Sequence, residues 1–272
     1  MINKNILQNV ISKYYLGEIE RVKWEVKNNQ LTINFITPSK MVLGNVKCND
    51  FPLEDANLAI YHTKKLSSLI SICNGDLLLE LEKQKEMLLK LNISDSNFNL
   101  SYALSDPLLI KNAGKAKPVN NWDIELKITR EEIGNILKAK SALSDIDNML
   151  ITSTKDLDDI NVCEFVFGDE AGHNNKITYQ LKGDIKKENI KIRYNSDMLK
   201  TILNANKDVD EGTFKVSNEG LMYLAFQNDE IESEYYMVPQ EDGVMCIETF
   251  FHIFIYANLG CKTGSPKWEL FY

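Results

Sequence analysis

Thr129-Arg130-Glu131-Glu132-Ile133-Gly134-Asn135-Ile136-Leu137-Lys138 decides the reading of this chain, because the same pattern stands near the start as Lys4-Asn5-Ile6-Leu7-Gln8-Asn9-Val10-Ile11. Ile133, Ile136 and Leu137 share one helical face, and so do Leu7, Val10 and Ile11, 126 positions earlier. Lys4 and Arg130 begin the two segments at the same offset. Thr129 with Glu132 three residues on is the signature of a capping box. The spacing predicts helices near Lys4–Lys13 and Arg130–Leu143.

A second pair of helices follows from the same reasoning. Leu66, Leu69 and Ile70 near His62–Cys73 match Leu199, Ile202 and Leu203 near Ser196–Asn206 at an offset of 133, with Tyr61 matching Tyr194. Asn195 or Ser196 can cap the last of the four. Nearly equal offsets for two pairs predict two halves, each helix–strands–helix–strands. The rest reads as short strands with apolar and polar residues alternating, as in Leu31–Ile36, Asp76–Leu81, Asp123–Ile128, Cys163–Phe167 and Leu221–Phe226. The join lies between Asn97 and Trp122, where Asp106-Pro107 and Lys117-Pro118 bracket an apolar Leu108-Leu109-Ile110. The domains are expected at 1–104 and 122–242, with a connector over 105–121 and an added tail over 243–272.

The length of 272 residues suits two domains of roughly 120–130 residues. Hydrophobic residues at 44% and charged residues at 26% fit a folded protein. Five cysteines, none in CxxC spacing, predict neither a disulfide framework nor a zinc site, and point to reduced thiols in a cytoplasm. The first residues, Met1-Ile2-Asn3-Lys4-Asn5, lack the apolar run of a signal peptide. Val244–Leu259 is the most apolar stretch, but Glu248, His252 and Asn258 interrupt it, so no membrane span is expected.

The net charge of −8 argues against indiscriminate coating of nucleic acid, yet the charge is unevenly placed. The four helices and their edges carry Lys4, Lys13, Lys64, Lys65, Arg130, Lys138, Lys140, Lys200 and Lys207 against Glu131, Glu132 and Asp197, a net of +6. Their polar faces are rich in Asn, Gln, Ser and Thr. A surface built from them suits loose, sequence-independent contact with phosphates. These nine cations are the expected DNA-facing residues.

No motif of catalysis accompanies them. His62, His173 and His252 share no pattern, and no GxSxG, HExxH, Walker A or GxGxxG occurs. Gly168–His173 and Asp156–Asp159 read as polar turns rather than metal sites, so no metal and no cofactor is expected. Two competing readings stay open: a metal-dependent DNA-modifying enzyme using the acidic loops, and a phage structural protein without a DNA role.

Two β-rich halves with two helices each, the second pair introduced by Asn57-Leu-Ala-Ile-Tyr61 and Ile190-Lys-Ile-Arg-Tyr194, resemble the DNA sliding clamps. The chain looks most like the replication clamps of large tailed phages, with PCNA a more distant relative. The ending Glu234-Tyr235-Tyr236-Met237-Val238-Pro239 is similar to the one that borders the partner pocket of PCNA. The resemblance implies an α+β clamp fold, two similar domains with helices packed on antiparallel sheets, assembled head to tail as a homotrimer into a pseudo-sixfold ring. It implies a non-enzymatic processivity factor around duplex DNA, opened by an ATP-driven clamp loader, tethering DNA polymerase and, in the phages, activating late transcription from the host cytoplasm. It also implies a pocket for partner peptides built from Met41, Leu108, Leu109, Ile110, Tyr236, Val238 and Pro239. The aromatic tail departs from the family pattern; two roles are expected for it as alternatives, an added segment that covers a sheet edge, or one that docks Trp268–Tyr272 in the pocket.

Overall fold

The computed structural model describes residues 1–240 except 86, 112, 115, 117, 118, 120, 169–174 and 218. The tail and most of the Gly168–His173 loop therefore lie outside the described residues. The first half runs β1 (Ile2–Asn3), α1 (Lys4–Tyr15), β2 (Val22–Lys27), β3 (Gln30–Ile36), β4 (Val42–Cys48), β5 (Ala56–Ile60), α2 (Thr63–Ser71), β6 (Asp76–Gln84), β7 (Met87–Ser94) and β8 (Asn99–Ala103). A 3₁₀ turn at Pro107–Leu109 opens the connector. The second half runs β9 (Ile124–Thr129), α3 (Arg130–Ala142), β10 (Asn148–Lys155), β11 (Asn161–Gly168), β12 (Lys176–Lys182), β13 (Asp184–Ile185), β14 (Lys191–Asn195), α4 (Ser196–Ala205), β15 (Glu211–Val216), β16 (Met222–Gln227) and β17 (Ile231–Met237).

The helix ends follow their local chemistry. Asn3 caps α1 through Asn5 N–H, and Asn195 rather than Ser196 caps α4 through Met198 N–H. Thr129 and Glu132 form the full capping box of α3. Leu16 takes a left-handed conformation (φ 46°) to end α1, followed by Gly17 at φ 79°. Leu7, Val10, Ile11, Leu66, Ile70, Ile133, Ile136, Leu199, Ile202 and Leu203 are all buried, each worth roughly 1.5–3 kcal/mol relative to exposure.

The repeat continues into the sheets. The first half contributes β1-β6-β7-β8 and β5-β2-β3-β4; the second contributes β9-β15-β16-β17 and β14-β10-β11-β12. Strand for strand these match, with β13 the only addition among the described residues. β4 and β17 pair antiparallel from Val42↔Met237 to Cys48↔Ile231, fusing one sheet from each half into a nine-stranded sheet. β8 and β12, which hold the corresponding places in their own halves, are open edges. The helices form one contiguous row: α2 against α1, α1 against α4, and α4 against α3.

A buried polar network locks the halves where α1 meets α4 and β17. Lys13 Nζ donates to Ala205 O (3.1 Å), Asn206 Oδ1 (3.0 Å) and Asp208 Oδ1 (2.7 Å). Tyr235 Oη donates to Lys13 O (2.9 Å) and accepts from Asn206 Nδ2 (3.0 Å), while Ser233 Oγ donates to Asn206 Oδ1 (2.8 Å). Residues of the second half thus close around one turn of a first-half helix.

Candidate nucleic-acid interface and partner cleft

The row of four helices places the cationic residues together, but not all on its surface. Lys13 is only 1% exposed and belongs to the interdomain network. Lys140 is 2% exposed; its ammonium donates to Ser144 O and Ile146 O and pairs with Asp197 at 3.0 Å. The two lysines share one cause: each is buried because its ammonium reaches backbone carbonyls at or just past the end of a helix, Ala205 O for Lys13 and Ser144 O and Ile146 O for Lys140. Burial lowers the pKa of Lys13, and the Asp208 carboxylate beside it opposes that shift.

Lys4 and Arg130, equivalent in the repeat, do equivalent work. Lys4 Nζ donates to Ser71 O and Cys73 O at the end of α2; Arg130 donates to Asp208 O and Val209 O just beyond α4 and pairs with Asp210 at 3.0 Å. Lys64, Lys65, Lys138, Lys200 and Lys207 make no ion pair with another described residue. Once Asp208 and Asp210 join the tally, nine cations face five anions and the net falls from +6 to +4. The surface that remains is mildly positive, with Asn5, Ser12, Ser68, Ser71, Ser141 and Asn204 among the polar residues around the lysines.

The opposite face of the nine-stranded sheet carries a second feature. Side chains alternate along β17, so Ile231, Ser233, Tyr235 and Met237 point to the core while Glu234 and Tyr236 point outward. Tyr236 pairs across with Leu43, and Val238 N–H donates to Met41 O (3.0 Å). The Tyr236 ring lies 5.0 Å from Tyr223, which lies 5.8 Å from Trp122. Burial, reinforced by the Glu234 charge, raises the pKa of both tyrosines. Gly114 and Ala116 of the connector pass over this face and bound a cleft of about 700 Å³, lined also by Thr32, Asn34, Leu43, Asn45, Glu234 and Tyr236.

Of the seven expected pocket residues, Met41, Tyr236 and Val238 gather at the β4–β17 junction, with Pro239 packed on the turn at Gly220. The connector residues fall elsewhere. Asp106 Oδ1 caps the 3₁₀ turn through Leu108 N–H (2.8 Å), and Ser105 bridges to Ala59 of β5. Leu108 and Leu109, 89% and 64% exposed, therefore project beside β5, three strand spacings or about 14 Å from β4. Ile110 is buried. Trp122 and Tyr223 escape the sequence reading; the signal at Tyr223 is an aromatic at an outward position of β16, where alternation predicts a polar residue, while Trp122 stands in the irregular segment just before β9.

The acidic loop is a turn. Asp156 Oδ1 accepts from Asp158 N–H and Ile160 N–H, Lys182 pairs with Asp156, and Lys155 pairs with Asp159. The backbone donors hold the Asp156 carboxyl below its usual range. Among the described residues no group of three or more His, Cys, Asp or Glu is placed to hold a metal ion.

No protein-family model and no curated sequence matches the chain. Its shape has relatives. A crystal structure of PCNA from Entamoeba histolytica superposes with a TM-score of 0.69 over 88% of this chain and 96% of that one, at 13% identity. A. fulgidus PCNA, in a complex with the C-terminal region of FEN-1, superposes with a TM-score of 0.70 over 89% and 98%, at 14% identity. The chain has the PCNA-like clamp fold. The helix row packs on one side of the fold, and the cleft that holds Tyr236 lies on the outer face of the nine-stranded sheet, beneath the connector.

Proposed function

We propose that this chain is a sliding clamp, a processivity factor that encircles duplex DNA without base recognition and without turnover. The observation that carries the reading is the repetition of an edge. Inside the chain β17 meets β4; β8 and β12 are the same two edges left open. Pairing β8 of one copy with β12 of the next repeats the internal junction and removes both exposed edges. A head-to-tail contact of this kind makes a ring where its rotation closes. Three two-domain chains complete six repeats, the homotrimer expected from the resemblance.

The same step places α2 of one copy against α3 of its neighbour, as α4 meets α1 within the chain. Ile72 and Phe98, 47% and 41% exposed, stand on the first-half side of that seam. Twelve helices then line the hole, with Lys64, Lys65, Lys138, Lys200 and Lys207 the phosphate-facing charges. A lining of about +12 per ring is modest enough for DNA to slide, since strong phosphate contacts slow it. Domains 1–104 and 122–242 act as the repeating units.

The surface at Leu43 and Tyr236 of the cleft, with Tyr223 stacked beside Tyr236 and Met41 and Val238 at the end of the same strand junction, is the docking place for apolar, aromatic peptides of DNA polymerase and other partners, and an ATP-driven loader opens the ring. Origin in a large tailed phage, action in its host's cytoplasm and a role in late transcription are part of this reading and rest on the sequence resemblance. The buried free thiols Cys48, Cys73 and Cys163 suit a reducing compartment.

Loading onto nicked circular DNA, followed by linearisation, tests the reading. A clamp is retained on the circle and lost from free ends. Retention after linearisation, or divalent-ion-dependent cleavage, favours a groove binder or an enzyme instead. Native mass measured across a concentration series reports the trimer; a monomer at every concentration counts against the ring.

A further inference from the structure

The repeat extends past the last strand. After β8, Ser105 N–H donates to Ala59 O (3.1 Å), and the connector leaves from there to cross the outer face of the first half. After β17, Gln240 N–H donates to Arg193 O (2.7 Å) of β14, the strand that holds the place of β5 in the second half. Residues 241–272 therefore start where a second connector would start. Their opening residues, Asp242-Gly243-Val244-Met245, match the pattern of Asp106-Pro107-Leu108-Leu109: an acid, a turn residue and two apolar side chains.

The outer face they would meet is unusual. In the first half the connector passes over Glu25, Thr32, Asn34 and Asn45, all polar. In the second half, Cys163, Phe165 and Phe167 of β11 join the core cluster, so Val162 and Val166 stand on the outward parity, yet both are buried and outside that cluster. Leu150 pairs with Val166 on the same face. At the β10–β11 turn Leu157 is fully exposed and Ile160 nearly half exposed, where the first half has Asn28 and Asn29. Val162 and Val166 are covered already, while Leu157 and Ile160 leave an exposed apolar patch at the end of the stripe, and such a patch asks for a cover. Thirty-two residues outside the described chain, carrying Val244, Ile247, Phe250, Phe251 and Phe254, begin at its border. Four strands span about 15 Å, and the tail, at up to about 3.3 Å per residue, reaches several times that far.

We propose that residues 241–272 fold back over the outer face of their own second half, seating apolar side chains on Leu157 and Ile160 at the end of the Val162–Val166 stripe. The tail is then a second strap, parallel in role to the connector, and it leaves the aromatic cleft at β4–β17 free for partners.

The test uses the full chain with a photoreactive phenylalanine analogue in place of Leu157, as a mixture of isotope-labelled and unlabelled copies. Cross-links to 241–272 within the same copy are expected. Cross-links to another copy, to other segments only, or no cross-link overturn the proposal. A second arm measures chymotrypsin cleavage within 241–272. Leu157→Asp with Ile160→Asp should speed it at least tenfold while circular dichroism is unchanged; an unchanged rate, or acceleration by Tyr236→Ala instead, overturns it. Both arms work on single chains, so their failure leaves the ring reading standing.

Discussion

Replacing Lys13 with Met tests whether this lysine is a bolt between domains or a charge for DNA. The ammonium is buried and makes three bonds, to Ala205 O, Asn206 Oδ1 and Asp208 Oδ1. Met keeps most of the stem's packing, so the loss is polar. Removing one partner of a buried pair costs about 3–5 kcal/mol. Here Asp208 is 28% exposed and keeps Asn228 Nδ2 at 3.2 Å, which lowers the cost toward 3 kcal/mol. For a two-domain chain of this size that corresponds to a fall in Tm of about 6–12 °C. Lys138→Met, on the polar face of α3, should shift stability by under about 0.5 kcal/mol. Urea titration and calorimetry of the two variants give the comparison. Equal stabilities, with Lys13→Met weakening DNA retention as much as Lys138→Met, would refute the interior assignment.

Reversing Lys64, Lys65, Lys138, Lys200 and Lys207 to Glu should leave the melting curve nearly in place but abolish retention on circular DNA, read by gel filtration after loading. Phe98→Glu with Ile72→Glu should yield a folded monomer by native mass spectrometry; an intact trimer would put the seam elsewhere. Tyr236→Ala should weaken binding of an aromatic-ended partner peptide about tenfold or more in calorimetric titration, whereas Leu108→Ala should change it less than twofold. Lys186 and Lys215 lower the pKa of Glu125, so its stabilising contribution is full above the ordinary Glu value and fades as pH falls through the depressed one; Glu125→Gln should flatten acid-side stability curves below about pH 5.

The repeat was legible because it rests on local periodicity, which needs no partner to show itself. Leu7, Val10 and Ile11 predict their helix alone, and the offsets to Ile133, Ile136 and Leu137 predict the halves. The fate of Lys140 was also written in that spacing. It lies seven positions after Ile133, at the centre of the apolar stripe, where α1 places the buried Tyr14. Charge alone assigned it to the surface, and the stripe overruled it. Lys13 gave no such warning, since its partner Asp208 is 195 positions away. The cleft divided in the same way. Alternation along β17 puts Tyr236 outward, but the pairing of β17 with β4 that brings Met41 to Val238 is long-range. The bridge of Ser105 to Ala59, which carries Leu108 and Leu109 off beside β5, is equally invisible to a local reading.

The fusion of β4 to β17 has a consequence for birth on the ribosome. The strand at Val42–Cys48 emerges early, yet its companion at Ile231–Met237 is synthesised about 190 residues later. At roughly 5–20 residues per second the gap is about 10–40 s. Throughout that interval the nascent first half presents a bare seven-residue border with Leu43 beside it, able to capture the same strand of another growing chain. Slow translation near the end of the message, or high local crowding of polysomes, would therefore favour wrongly zipped products. A chaperone that shields this border has its task defined by the order in which the ribosome makes the two strands.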